Sequence, residues 1–161
     1  MDDEFKKIRE NAHMTRGVVL NEISLLEVYF DFYISDYFGI NREKSDEFNI
    51  IILLGLRVGF SAKKDIIINI MKRNKTIHNY PDIERDLKDL IFERNVLAHG
   101  VLDLTPNSIE YINQGYIVFY KKDGDGTGKP VLYNQEKFLI IQAIIQKYIE
   151  IFKSLTKQKH L

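Results

Sequence analysis

The chain has 161 residues, of which 45% are hydrophobic and 29% charged; acidic and basic side chains are equal in number, and there is no cysteine. That length fits one domain able to bury a core without staples, and the composition is that of an ordinary soluble globular protein. The lack of cysteine excludes disulfides and thiolate metal sites and agrees with a reducing, cytoplasmic setting, while zero net charge means that a nucleic-acid partner would have to rely on a local patch.

The first residues, Met1-Asp2-Asp3-Glu4, are too acidic and polar for a signal peptide. A long helix is expected from about Glu4 to Phe38. Val19, Ile23, Leu26, Phe30, Tyr33 and Tyr37 recur at helical spacing, and Val18, Leu25, Tyr29 and Phe32 widen the apolar face. Gly39 is its stop. A face that wide implies a central helix, or one packed on its own core on one side and a partner chain on the other. A second helix, about Ser45 to Val58, carries Phe48, Ile51, Ile52 and Leu56 and ends at Gly59. The apolar run Ile50 to Leu56 is too short to span a membrane and meets Arg57. The third helix, about 62 to 73, has Ser61 as its cap and Ile66, Ile67, Ile70 and Met71 as its stripe. Asn79-Tyr80-Pro81 breaks the chain. The fourth helix runs from Pro81 to His99 on Ile83, Leu87, Leu90, Ile91 and Leu97, with Gly100 as its stop.

The pattern then becomes β-prone in four short runs: Val101–Leu104, Ile109–Ile112, Ile117–Tyr120 and Val131–Tyr133. They suggest a small antiparallel hairpin or three-stranded meander over about 101–133. Asn134 is placed to cap a last helix reaching about Lys157 on Phe138, Ile141, Ile145, Tyr148, Phe152 and Leu155. The expected fold is mainly α: a four- to five-helix up-and-down bundle in one domain, 1–161, with a β insertion before the last helix.

Arg94-Asn95-Val96-Leu97-Ala98-His99-Gly100 closes the fourth helix and carries the strongest chemistry in the chain. A guanidinium holds a phosphate by two-point contact, and an imidazole moves protons near neutral pH. Residues five apart point about 140° from each other on an ideal helix, whereas Asn95 and His99, four apart, are neighbours. Arg94 must therefore curl its long side chain, the helix must loosen near Gly100, or two chains must build the site jointly. The bare pattern is common, with about 0.5 accidental matches expected in a chain of this composition. It recurs as Arg73-Asn74-Lys75-Thr76-Ile77-His78, at a helix end running into a loop, where neither group is held firmly. In a structural alternative, His99 only caps terminal carbonyls and Arg94 only pairs with neighbours of Glu93 or with Asp89 or Asp103.

The later stretch, with Asn after Arg and the Ala-His-Gly ending, resembles the R-x4-6-H motif of HEPN domains, small helical proteins that include many metal-independent ribonucleases of prokaryotic defence and toxin–antitoxin systems. The resemblance implies that Arg94, His99 and Asn95 form a catalytic cluster meeting its copy across a homodimer two-fold. Two imidazoles then share the acid and base roles, Arg94 stabilises the phosphorane, and RNA is cut without cofactor or metal. It also implies RNA and a cognate antitoxin or regulatory protein as partners, and no membrane. Some members only bind nucleic acid or nucleotide, or act as interaction modules, which leaves a non-catalytic dimer as the alternative. In the nucleotidylated toxins of the family a Tyr stands two positions after the His; here that position is Val101, so that regulation is not implied.

For RNA contact the basic cluster Arg57, Lys63 and Lys64 comes first, followed in the chain by Lys72, Arg73 and Lys75; the alternative for these residues is a solvated helix face. Asp123 to Pro130 is neither a P-loop, since Pro130 follows Gly128-Lys129, nor an EF-hand, since Asn134 falls at position twelve; it suits a hairpin tip.

Overall fold

The computed structural model describes residues 2–54, 58–122 and 128–156. These are mainly helical. Helix α1 spans Asp2–Tyr37, α2 Arg42–Phe48, α3 Phe60–Arg73, α4 Ile83–His99, α5 Ile109–Asn113 and α6 Gln135–Leu155; strands β1 (Val101–Leu102), β2 (Ile117–Lys122) and β3 (Gly128–Tyr133) form one antiparallel sheet in that order. A π-helix at Asn49–Leu54 and 3-10 turns at Thr76–Asn79 and Pro106–Ser108 complete the path.

The helix ends are written in the sequence. Gly39 takes φ +66° and ends α1 with paired hydrogen bonds, Gly39 N–H to Asp36 C=O and Ile40 N–H to Ser35 C=O, which satisfy carbonyls the helix leaves over. Asn134 caps α6, its side-chain oxygen accepting from the Lys137 amide at 2.8 Å. The cap of α3 is Gly59 in an extended conformation rather than Ser61, so that helix starts at Phe60. Pro81 lies in the turn before α4, which starts at Ile83.

Two expectations change. The strand read over Ile109–Ile112 is α5. Ile-Glu-Tyr-Ile suits either period, and the glycine end decides: Gly115, at φ +86°, donates to the Ile112 carbonyl at 2.9 Å and Tyr116 to the Tyr111 carbonyl at 3.0 Å. The second helix breaks after Phe48 into the π-helix. Its wider turn shifts the register, leaving Ile50, Ile51, Ile52 and Leu54 exposed and Leu53 buried.

The chain folds as two compact units of interleaved segments. The first takes residues up to Glu22 with Phe92–Ala143. One face of its sheet packs on helices: Phe119 meets Tyr133 edge-on at 5.6 Å, and Tyr133 stacks on Phe138 of α6 at 5.1 Å. Helix α5 packs against β2. The second unit takes Ile23–Ile91 with the chain from Ile144 on. Its core joins Phe30 of α1, stacked on Phe60 of α3 at 5.4 Å, to Phe152 of α6 at 4.9 Å, with Leu26, Ile67, Leu87 and Ile145 buried around them. No helix among the described residues is long and apolar enough to cross a membrane.

Candidate functional site

Arg94, Asn95 and His99 all belong to the first unit, on the last turns of α4. Val96 and Leu97 between them are fully buried and anchor this end of the helix. The preceding residue, Glu93, turns inward. It accepts a hydrogen bond from the buried Tyr133 hydroxyl and an ion pair from Lys137 at 3.1 Å, while the Lys137 ammonium also lies over the Tyr133 ring at 4.1 Å. Burial first, and then the Glu93 carboxylate, push the Tyr133 phenol well above its ordinary range. With Glu93 pinned to β3 and α6, the rotation of α4 is set.

Arg94 is half-buried, and its Nη1 donates to the Asn95 Oδ1 at 3.3 Å. A guanidinium has only donors, so Asn95 must present its oxygen to it, leaving the Asn95 amide N–H₂ for a ligand. The hydrogen bond draws Arg94 toward the flank that Asn95 shares with His99. Arg94 has no carboxylate partner among the described residues, which disposes of the expected alternative pairings: Asp103 accepts from Ser108 and Thr105 instead, and no ion pair reaches Asp89.

His99 is exposed, and its ring makes no hydrogen bond or ion pair to a described residue. The capping role belongs to Arg16 of α1. Its Nη2 donates to the Ala98 carbonyl at 2.8 Å and its Nη1 to the Gly100 carbonyl at 3.5 Å, with the guanidinium 5.6 Å from the centre of the Phe119 ring. A cation at this helix end offsets the negative end of the macrodipole and frees the imidazole from that task. Gly100 is required by close approach: a Cβ there would run into the Val96 carbonyl oxygen and come 3.3 Å from Phe119 Cβ.

Three residues join the site without having been singled out in the sequence. Phe92 is 44% exposed and lies three residues before Asn95 and seven before His99, on their face of α4. Lys121 of β2 stands 4.8 Å above its ring and has no carboxylate partner among the described residues. Arg16 did have a signal, because it falls within the buried stripe Ala12–Val19–Ile23 of α1, where a cation must find acceptors.

The expected RNA-contact cluster needs correction. Lys63 is fully buried in the second unit, its ammonium 2.8 Å from Asp31 Oδ1 and 3.0 Å from Glu27 Oε1, so it faces no ligand. Lys64 pairs with Asp65 at 2.6 Å, and Arg57 lies outside the described residues. The second motif copy, also in the second unit, is split by a turn: Arg73 ends α3, Lys75 takes a left-handed conformation at φ 57°, and His78 sits exposed on the 3-10 turn. Among the described residues no group of three or more metal-ligating side chains is placed to hold a metal.

No protein-family profile matches the chain, and no curated protein or solved structure is significantly similar to it.

Proposed function

We propose that this chain is a metal-independent endoribonuclease of the HEPN type, acting as a two-fold homodimer in prokaryotic defence or with an antitoxin or regulatory partner. The observation that carries the reading is the state of the α4 end. Arg94 has no carboxylate partner among the described residues and His99 is exposed, while Arg16 does the capping that would otherwise account for the histidine.

In the dimer, one His99 takes the proton of the RNA 2′-hydroxyl. O2′ attacks phosphorus and the P–O2′ bond forms. Arg94, with the Asn95 amide, faces the charge of the phosphorane, and the other His99 protonates O5′ as the P–O5′ bond breaks. The products are a 2′,3′-cyclic phosphate and a 5′-hydroxyl, and DNA lacks the attacking group. Lys121 supplies the local positive charge that Lys63 does not, and the exposed Phe92 ring offers a face on which a base can stack.

The dimer rests on α1. Met14, Val18, Asn21, Leu25 and Val28 recur at alternating intervals of four and three, and all five are exposed. This is the spacing of a two-helix seam, and one asparagine within such a seam selects register.

The test substitutes both motif copies. Arg94→Ala and His99→Ala each abolish RNA cleavage with the fold and dimer kept, Asn95→Ala reduces it, and Arg73→Ala and His78→Ala leave it intact. Cleavage that survives His99→Ala and dies in His78→Ala moves the site to the other copy. A wild type that binds RNA but cuts none supports the non-catalytic dimer.

A further inference from the structure

A cavity of about 770 Å³ opens beside β1 in the first unit, within the usual range for a small-molecule site. Its floor is a cross-strand row. Register pairs Val101 with Tyr120 and Tyr120 with Pro130, so the three side chains project from one face of the sheet. The wall is the chain from Leu102 through the 3-10 turn to Tyr111, a residue 38% exposed. Tyr120 owes its position to Gly128 on the neighbouring strand, where a Cβ would strike the Tyr120 ring.

One carboxylate stands in this apolar, tyrosine-flanked setting. Asp103 Oδ2 accepts from the Ser108 hydroxyl at 2.7 Å and Oδ1 from the Thr105 amide at 2.9 Å. Burial raises its pKa, but these hydrogen bonds outweigh burial and hold it below the ordinary carboxylate range. The group is therefore ionised at neutral pH and fixed in orientation. The Thr105 side chain also hydrogen-bonds the carboxylate, and of the four lone pairs on its two oxygens these contacts leave capacity for a ligand.

A fixed carboxylate in a cavity that Tyr111 and Tyr120 also line suits a flat ligand with two N–H donors side by side. Guanine offers that edge, in N1–H and the exocyclic N2–H. Adenine and cytosine alternate donor and acceptor along the corresponding edge, and the lone N3–H of uracil is flanked by two carbonyls that a carboxylate repels. We propose that the cavity beside β1 is a guanine pocket that takes one unstacked base of single-stranded RNA, held by Asp103 on its Watson–Crick edge and by Tyr111 and Tyr120 on its faces. The assignment of RNA as the source of the base rests on the ribonuclease reading: Val101 of the floor lies two residues after His99, at most about 7.6 Å along the backbone.

The experiment uses the full chain and calorimetric titration with 5′-GMP, 5′-IMP and 5′-AMP. GMP is expected to bind about tenfold or more tighter than AMP, with IMP, which lacks the N2 donor, between them. Asp103→Asn, which replaces one acceptor by a donor, should bring GMP to the AMP level, and Tyr111→Ala should weaken all three alike. Equal GMP and AMP affinities in the wild type, or a guanine preference kept in Asp103→Asn, overturn the proposal. The IMP comparison needs no variant and stands even if Asp103→Asn fails to fold. Fully 2′-O-methylated hexanucleotides, which cannot be cleaved, separate the two sources. Tighter binding of a uridine strand carrying one guanine than of the all-uridine strand supports an RNA base; a GMP preference without that difference overturns RNA as the source. Guanine binding by a protein that cuts no RNA leaves the pocket standing and removes only the ribonuclease reading.

Discussion

Replacing Lys63 by Met keeps most of the side-chain volume and removes the charge. In the wild type the ammonium sits 2.8 and 2.9 Å from the two oxygens of Asp31 and 3.0 Å from Glu27, with 1% of the lysine side chain and 8% of the aspartate exposed. Removing one partner of a buried pair strands the other, at a cost of about 3–5 kcal/mol. That is a large share of the stability of a domain this size, and it corresponds to a loss of roughly 10 °C in Tm. The loss has a pH signature. Burial already raises the Asp31 pKa, and the Lys63 hydrogen bond and charge pull it down. Without Lys63 the folded-state pKa rises further above its unfolded value. A group raised in this way binds its proton more tightly in the folded state. Its contribution to stability is greatest below the unfolded pKa and is lost as pH rises through the folded one. The Lys63→Met deficit should therefore be full at neutral pH and shrink as pH falls through the raised folded-state value into the acid range. Asp31→Asn in the same chain should recover part of it at neutral pH. Urea denaturation at neutral and acid pH reads all of this. A variant within about 1 kcal/mol of wild type at neutral pH, or a deficit that does not change with pH, refutes the buried-pair account.

Other outcomes follow from the same geometry. Gly100→Ala should destabilise the first unit by about 1–3 kcal/mol, because the new methyl meets the Val96 carbonyl, which is backbone and cannot swing away; thermal melts check it. Asp86→Ala should cost about 2–3 kcal/mol, since the buried carboxylate accepts from Tyr148 at 2.8 Å and from Lys147 at 3.0 Å. Burial raises the Asp86 pKa, but the Lys147, Tyr148 and Arg85 hydrogen bonds lower it on balance, so the wild-type advantage over the variant should hold at neutral pH and fade as pH falls through the folded-state value below the ordinary carboxylate range. Leu25→Asp with Val28→Asp should convert the proposed dimer to monomer in light scattering while the circular dichroism spectrum stays helical; a wild type that is already monomeric removes the composite site.

Most of the helical frame is legible in the sequence, because α1, α3, α4 and α6 bury continuous apolar stripes, and α1 and α4 end at the glycines Gly39 and Gly100. The end of α4 is legible for the same reason: Gly100 fixes where the helix stops and so where His99 sits. Residues that satisfy two patterns at once are not legible. Ile109-Glu110-Tyr111-Ile112 fits both periods, and the glycine after it rather than the run itself makes it helical. Charge is the other blind spot. The expectation that Lys63 faces solvent treats lysine as a surface residue, yet Lys63 lies three residues after Phe60 and four before Ile67 on the buried face of α3. Arg16 repeats the lesson on α1. In both helices a cation on an apolar stripe marks a buried partner, a carboxylate pair for Lys63 and helix-end carbonyls for Arg16. Tertiary contacts such as Glu93 with Tyr133 join residues 40 apart, and no local pattern announces them.

The most direct measurement is the end-group chemistry of RNA incubated with the purified protein in EDTA. The proposed site predicts fragments with 2′,3′-cyclic phosphate and 5′-hydroxyl ends, formed by the wild type and absent with Arg94→Ala or His99→Ala. Fragments with 5′-phosphate ends, or cleavage that starts only when a divalent metal is added, would contradict it.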